Sequence, residues 1–300
     1  MQGRYREYKN FGRVYEMTEG EMVVMVTVDI GPRIIYFGTK DYNLMYEDIQ
    51  REISNGGEYF DNTFGKGKKW QIIGGHRLWK SPEDLSSYSI DDTPVQVSCT
   101  PYGAVFAREA EETTGLIKEF EIEVLDNSRI KIEHTLTNTL DRRQEVAVWA
   151  LTVLRRGGSV ILPLNDRDTG FLPSRNLVYW PYSDYYDERF VIEGDFAALK
   201  QDGKQSNPFK FGTMSKKGVA GYLVDDMLFS KTFDVNPKGV YPDYSCNFES
   251  YTNDKIIECE TLGELTELKK GDKITHTEVW QYEKVKGITA EQAAKILLSK

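Results

Sequence analysis

Alternation of apolar and polar residues recurs along this 300-residue chain, and this feature limits the fold more than any other. In residues 116–125 the apolar Phe120 and Ile122 alternate with glutamates. Residues 129–136 repeat the pattern and place His134 on the apolar face. A period of two residues is typical of strands with one buried face. The sequence therefore predicts antiparallel strands over most of its length.

Three other segments, residues 21–30, 33–38 and 145–154, are apolar almost throughout. Such runs predict strands that are buried on both faces, in the middle of stacked sheets. Glycine-rich and asparagine-rich turns separate the runs at intervals of about a dozen residues. No repeat or linker interrupts the series, so we expect one β domain over residues 1–286 and a helical tail at 287–300.

The tail has the pattern of a short amphipathic helix. Thr289 and Gln292 are spaced as a capping box, in which each side chain accepts from a backbone amide of the first turn. Ala293, Ile296 and Leu297 fall on one stripe. The expected fold class is therefore all-β, with one helix at the C-terminus.

Composition excludes several classes of protein. Lys and Arg total 38 against 47 Asp and Glu, a net charge of −9, which disfavours nucleic-acid binding. No apolar run is long enough for a membrane helix, and the polar first residues do not form a secretory signal, so we expect a cytoplasmic protein. The three cysteines lack a CxxC spacing, which favours buried reduced thiols over disulfides or zinc.

In residues 72–83, two glycines are followed by three side chains that could take part in catalysis or ligand binding. His76 can transfer protons near neutral pH, Arg77 can donate a bidentate pair of hydrogen bonds, and Trp79 can stack on a ligand. Glycines in this position allow a close approach of the backbone. Taken alone, a histidine after glycines is a weak signal of catalysis.

The other two histidines favour structural roles. His134 shares its strand face with isoleucines, which is typical of a core histidine, and His276 lies in the last strand pattern. No HxH or HExxH spacing is present, and neither are the motifs of serine hydrolases, P-loop NTPases or dinucleotide-binding proteins. The histidines therefore predict no metal site, while the acidic segment 241–260 leaves a bound divalent ion open.

Two positions place charge beside apolar strands. Glu258 and Glu260 are two residues apart, so in a strand they share a face. Either that face is wet, or one carboxylate has a raised pKa and acts as an acid or base. Arg33 lies between two apolar runs, where it is either paired at the end of a sheet or in contact with a ligand.

The order of several segments resembles the galactose mutarotase-like (aldose 1-epimerase-like) superfamily, in particular a bacterial branch of it. The matching segments are IGPRIIYFG, GGHRLW, FESYTN, ECETLGEL and the loop LKKGD before the last strand, and they extend over residues 20–283. The resemblance implies a β-supersandwich, in which two large, mostly antiparallel sheets pack face to face. It also implies a sugar cleft on one concave side.

The resemblance further implies an aldose 1-epimerase type of reaction, which interconverts sugar anomers by acid and base catalysis without a cofactor. The base of the family corresponds to Glu260, and its glycine-flanked histidine corresponds to His76. A second histidine of the family falls in residues 145–154, where this chain has Trp149 and Thr152. The general acid is therefore either missing or supplied by His76 or another residue.

Further residues are implied to contact the ligand, and they are Arg33, Arg77, Trp79, Asp243, Glu249 and Lys210. The three cations would suit an anionic sugar such as a sugar phosphate, whereas a neutral sugar would use the carboxylates and Trp79. Two other functions stay open on the same fold. One is carbohydrate binding without catalysis, and the other is a lyase-like or hydrolase-like reaction of Glu260 with Glu249 or Glu258. Exposed sheet edges also allow a homodimer.

Overall fold

A computed structural model describes residues 1–300 and contains 24 strands, three short α-helices and one 3-10 helix (Leu85–Ser87). The strands in chain order are β1 (Gln2–Glu7), β2 (Arg13–Glu19), β3 (Met22–Thr27), β4 (Ile34–Thr39), β5 (Tyr42–Asn43), β6 (Ser54–Asn55), β7 (Trp70–Gln71), β8 (Gly75–Ser81), β9 (Gln96–Thr100), β10 (Gly103–Ala107), β11 (Leu116–Val124), β12 (Arg129–Asn138), β13 (Gln144–Leu154), β14 (Ser159–Pro163), β15 (Val178–Tyr179), β16 (Phe190–Glu193), β17 (Phe196–Lys200), β18 (Phe209–Thr213), β19 (Val219–Val224), β20 (Met227–Phe233), β21 (Phe248–Thr252), β22 (Ile257–Leu262), β23 (Thr266–Leu268) and β24 (Lys273–Lys284). The helices are α1 (Glu58–Phe64), α2 (Pro242–Ser245) and α3 (Ala290–Leu297). None of the helices has the length and apolar character needed to cross a membrane.

Two large sheets account for nearly all of the strands. The front sheet has twelve strands in the order β1-β2-β3-β4-β8-β13-β22-β21-β18-β15, with β5 beside β4 and β23 beside β13. The back sheet has ten strands in the order β16-β17-β14-β19-β20-β24-β12-β11-β10-β9, and β6 pairs with β7 separately. All the strand pairs are antiparallel. The predicted all-β architecture is confirmed.

The main apolar core lies between the two sheets. Phe37 of β4 packs edge-on against Phe229 of β20 and Trp280 of β24, with ring centroids 5.9 and 5.5 Å apart. On the back sheet the predicted alternation is confirmed, since Phe120 and Ile122 are fully buried. β13 is buried at every position from 146 to 154, as a strand covered on both faces must be.

The prediction of three buried thiols is wrong at one position. Cys246 and Cys259 are buried, whereas Cys99 is exposed on β9, near the edge of the back sheet. An edge strand has a neighbour on one side only, so its alternation does not guarantee a buried face. All three cysteines are free thiols.

The C-terminal helix has the predicted capping box. Thr289 accepts a hydrogen bond from the amide of Gln292, and the Gln292 side chain accepts one from the amide of Thr289. Leu297 is buried in an apolar cluster with Ile161 and Leu228 of the back sheet. The helix therefore covers part of the outer face of the back sheet. The division into a domain and a tail at residue 287 stays a prediction.

A buried ion pair joins neighbouring strands β20 and β24 of the back sheet on the side that faces the core. The Lys231 ammonium lies 3.0 Å from Glu278 and donates to the backbone carbonyl of Cys259 at 3.1 Å. Glu278 also accepts from the Trp280 indole at 2.6 Å and from the Thr261 hydroxyl at 2.5 Å. Burial alone would raise the pKa of the Glu278 carboxyl, but Lys231 and the nearby histidines hold it well below its usual range. Both partners of the pair thus have further hydrogen bonds besides the one that joins them.

All three histidines of the chain join this network. His76 Nε2 lies 2.7 Å from His134 Nε2, and His76 Nδ1 lies 2.8 Å from the Thr152 hydroxyl. His134 Nδ1 lies 3.0 Å from the backbone carbonyl of His276, whose own Nε2 lies 2.8 Å from Thr261. The prediction that His134 is a core histidine is confirmed by its complete burial.

The acceptors in the network fix the tautomers of the neutral rings. A carbonyl can only accept, so His134 donates from Nδ1 and its Nε2 accepts from the Nε2–H of His76. Burial lowers the pKa of each ring, and it lowers that of His276 to about 4. The three histidines are therefore neutral in the folded protein near pH 7.

We expect the stability of the protein to fall as the pH drops from 7 to 5. An unfolded histidine takes up a proton near pH 6.5, whereas the buried rings resist it, so below that pH the unfolded state binds more protons. Each histidine then contributes up to about 1.4 kcal/mol per pH unit. Urea unfolding of both proteins across this range measures the slope, and His276→Gln should make it smaller by up to about 1.4 kcal/mol per pH unit, because one buried ring is removed. The raised pKa of the Glu249 carboxyl acts in the opposite direction in both proteins and cancels in this comparison. Equal slopes in the two proteins would contradict the lowered pKa of His276.

A second prediction concerns the contribution of the Lys231–Glu278 ion pair to stability. Lys231→Met should lower the free energy of unfolding by about 3–5 kcal/mol, since it leaves the Glu278 charge buried without its partner. The double variant Lys231→Met, Glu278→Gln should lose less, because no buried charge remains. Lys295→Met removes an exposed pair with Glu291 and serves as the control, with little expected change. Equal losses of unfolding free energy in the three variants would show that the unpaired buried charge of Glu278 does not destabilise the protein.

Candidate functional site

The outer face of the front sheet carries a cleft of about 390 Å³. Its floor is formed by neighbouring strands β8, β13, β22, β21 and β18, and its walls come from residues 53–55, the β7 region and the loop after β15. The floor side chains alternate with side chains that enter the core between the sheets. Each strand therefore contributes every second residue to the cleft.

The strand register places the charged floor residues in two adjacent rows. In the first row, Leu151 of β13 pairs with Arg77 on one side and with Glu260 on the other, and Glu260 pairs with Glu249 of β21. Lys210 of β18 lies in the next row, opposite Tyr251. Antiparallel pairing thus brings residues that are far apart in the sequence next to one another.

Aromatic rings line the cleft. Four of the five tryptophans of the chain are among them, and the complete set is Trp70, Trp79, Tyr88, Trp149, Trp180, Tyr182 and Tyr251. The ring centroids of Trp79 lie 5.6 Å from Trp70 and 5.7 Å from Trp149. Flat apolar faces of this kind stack on the C–H faces of small ligands while their N–H and O–H groups remain available for hydrogen bonds.

Arg77 lies at one end of the floor. Its guanidinium carbon is 4.5 Å from the Trp79 ring centroid and 5.7 Å from that of Trp70, and its Nη1 donates to Glu258 at 3.2 Å. Burial raises the pKa of Glu258, and the charge of Arg77 opposes that rise. The Nε groups of Trp70, Trp79 and Arg77 are buried without a partner. This end of the cleft therefore offers unused hydrogen-bond donors.

Lys210 lies at the other end, between two carboxylates and two indole rings. Its ammonium is 2.7 Å from Glu249 and 3.0 Å from Glu260, and it lies over the rings of Trp149 and Trp180 at 4.8 and 4.6 Å. Glu260 also accepts from the Trp149 indole at 2.8 Å. Both carboxylates are fully buried. We call Lys210, Glu249 and Glu260 the charge triad.

The contacts within the triad shift the pKa values of Lys210 and Glu249. Burial alone would lower the pKa of Lys210, but the two carboxylates raise it well above its usual value. Burial raises the pKa of Glu249 far above its usual value, and the charge of Glu260 adds to that effect. Lys210 is therefore a charged ammonium near neutral pH.

Five of the residues predicted to form a site come together around this cleft, namely Arg77, Trp79, Lys210, Glu249 and Glu260. The expectation that Glu258 and Glu260 share a strand face is confirmed, since both meet cations on the cleft side. The alternative of a wet face does not hold, because both carboxylates are buried.

His76 does not reach the cleft, contrary to the sequence prediction. The segment with the two glycines leads directly into β8, where His76 and Arg77 are consecutive strand residues. Consecutive residues point to opposite faces, so Arg77 enters the cleft and His76 enters the core. His76 is fully buried and bonded to His134 and Thr152.

Arg33 and Asp243 are also placed elsewhere. Arg33 is buried and pairs with Asp91 at 2.5 Å, beside a separate cavity of about 20 Å³ that is lined by Arg108. This matches the alternative of a paired arginine at the end of a sheet. Asp243 lies in α2 with a positive φ of 50° and does not line the cleft, although its charge raises the pKa of Glu249.

Sequence reasoning missed most of the aromatic lining. The sequence did point to Trp149, because it lies in residues 145–154, where the family resemblance implies a second histidine. Trp180 and Tyr182 occur in the aromatic segment VYWPYSDYY, which follows no strand alternation and so gave no indication of where its rings point. Trp70 belongs to the two-residue strand β7, which is too short to be recognised by periodicity.

One group of residues has the donor set of a metal site. His76, His134 and Glu278 offer ligand atoms within 4.8 Å of one another in the core. Their donor atoms are engaged with one another and with Thr152, Trp280 and the Lys231 ammonium. The Lys231 ammonium already neutralises the carboxylate, so the set fits a hydrogen-bonded network better than a cation.

No protein-family model matches the chain, and no curated protein matches it.

Comparison with solved structures finds similar folds. A galactose mutarotase-like protein from Clostridium acetobutylicum covers 95% of this chain and 99% of its own at 10% identity, with a TM-score of 0.55. A proposed aldose 1-epimerase from Klebsiella pneumoniae covers 96% and 83% at 9% identity, with a TM-score of 0.58. A galactose mutarotase-like protein from Lactobacillus casei covers 90% and 100% at 10% identity, with a TM-score of 0.53.

These identities are too low to transfer an activity, but the agreement extends over nearly whole chains. It confirms the fold that the sequence resemblance implied. The two large antiparallel sheets and the short C-terminal helix identify the chain as a protein with the galactose mutarotase-like fold.

Proposed function

We propose that the protein binds a sugar in the cleft and interconverts its anomers, with Glu260 as the base. The observation that carries this proposal is the charge triad at the foot of a tryptophan-lined cleft. Anomer exchange by ring opening needs a base at the anomeric hydroxyl and an acid at the ring oxygen. Glu260 lies directly beneath the cleft lining, in contact with Lys210, and its buried Oε1 has no hydrogen-bond partner, so the sugar reaches this carboxylate when the floor around Lys210 opens.

The cleft suits a neutral sugar better than a sugar phosphate. Its two cations, Arg77 and Lys210, are already paired with Glu258 and with the two carboxylates of the triad. An incoming phosphate would have to compete with these carboxylates and would meet their negative charge. A neutral sugar can stack on the indole rings and accept from the unpartnered Nε groups.

Binding without catalysis is the second candidate. It is favoured by the complete burial of Glu260, whose Oε2 is engaged with both Trp149 and Lys210. On this interpretation Glu260 holds the floor of the cleft together, and the sugar contacts only the rings, Arg77 and Lys210. The two functions differ in whether removing the negative charge of Glu260 changes the rate of exchange or only the affinity.

The test is NMR exchange spectroscopy on a panel of neutral aldoses and aldose phosphates. We expect the wild-type protein to accelerate anomer exchange of at least one neutral aldose. Glu260→Gln should reduce the rate by about 10²-fold or more, because it removes the base, while retaining the ability to stack the sugar. Glu121→Gln, an exposed position on the back sheet, is the matched control and should leave the rate unchanged.

The outcomes separate the two candidates. A sugar that binds but exchanges no faster than in buffer would support binding alone. An unchanged rate in Glu260→Gln would remove Glu260 as the base even if the wild-type protein is active. If none of the sugars on the panel binds, both functions are rejected.

A further inference from the structure

The charge triad contains one cation and two carboxylates. Glu249 and Glu260 are directly paired across β21 and β22, and the ammonium of Lys210 lies 2.7 and 3.0 Å from them. All three side chains are buried. If both carboxylates were ionised, the triad would have an uncompensated negative charge in a water-poor site, at a cost of several kcal/mol. One carboxyl of the pair is therefore expected to hold a proton.

The contacts indicate which carboxyl holds it. Glu260 accepts hydrogen bonds on Oε2 from both the Trp149 indole and Lys210, and such donors stabilise the ionised form. Glu249 has no polar contact other than the Lys210 ammonium. The charge of Asp243 acts on Glu249 as well and disfavours a second negative charge there. The neutral member is Glu249, in agreement with the raised pKa of its carboxyl.

Lys210 is the member of the triad that lines the cleft. We propose that Lys210 is the general acid of the exchange reaction and that Glu249 is the proton store that recharges it. This inference rests on the proposed function and assigns the acid role that the displaced position of His76 leaves vacant. It requires no cofactor and no residue outside the triad.

Glu260 takes the proton of the anomeric hydroxyl, and the electron pair of that O–H bond forms the carbonyl. The bond between the anomeric carbon and the ring oxygen breaks, its electron pair passes to the ring oxygen, and the ring oxygen takes a proton from Lys210. The Lys210 nitrogen takes the proton of Glu249. Ring closure on the other face reverses each transfer.

The arrangement keeps the charge of the triad constant. Before ring opening Glu260 is ionised and Glu249 is neutral, and afterwards the two have exchanged roles while Lys210 is an ammonium in both states. Because the ammonium lies within 3.0 Å of both carboxylates, it compensates whichever one is ionised without moving far. No unpaired charge is created in the buried floor during the reaction.

Glu249→Gln is the decisive variant, because glutamine has the shape of the neutral acid but holds no transferable proton. We expect kcat for exchange to fall by about 10²-fold or more with little change in KM, since the binding surface is retained. The wild-type rate should fall as the pH rises through the raised pKa of Glu249, and this limb should be missing in the variant. Glu249→Asp should restore part of the rate. A purely structural role predicts no such rescue and no change in the pH profile.

Infrared spectroscopy of the whole protein near pH 7 gives a readout that does not depend on activity. We expect a carboxylic-acid C=O band that is absent in Glu249→Gln and present in Glu258→Gln, the matched control at another buried carboxyl of the cleft. If Glu249→Gln leaves the band unchanged, or if the wild-type protein has none, Glu249 is ionised and this inference is overturned, while the exchange assay judges the proposed function separately. If the Glu249 band is present but no sugar exchanges faster, the proposed function fails and the acid role fails with it.

Discussion

The central strands of the front sheet are buried on both faces, and every charged side chain on them needs a partner on a neighbouring strand. A buried charge without a partner costs several kcal/mol, whereas a paired and hydrogen-bonded one is tolerated. The structure meets this requirement twice on the cleft side, at Arg77 with Glu258 and at the charge triad. Ion pairs thus form part of the floor of the cleft, and indole rings pack against their two cations.

Sequence patterns predicted the elements of the fold well. Period-two alternation identified strands such as β11 and β12, and the capping box of Thr289 identified the last helix. The spacing of Glu258 and Glu260 predicted a shared face with burial as one alternative, and the structure has both carboxylates buried there. These successes share a cause, since each depends on residues within a few positions of one another.

The failures depend on information that is not local. His76 and Arg77 were expected to act together, but they are consecutive residues of β8 and face opposite sides of the sheet. The triad joins β18, β21 and β22, and no pattern within one strand reveals that register. Trp180 lies outside any regular strand, so its contact with Lys210 depends on the path of a loop. Such contacts follow from tertiary pairing and not from periodicity.

The two outer faces of the sandwich are closed in different ways. On the back sheet the chain supplies its own cover, because Leu297 of α3 packs over Ile161 and Leu228. On the front sheet the corresponding apolar surface is left as a cleft with aromatic walls. A bound sugar would complete the front layer much as the helix completes the back one. Its binding free energy would then add to that of folding, so that occupancy of the cleft and resistance to unfolding would rise together.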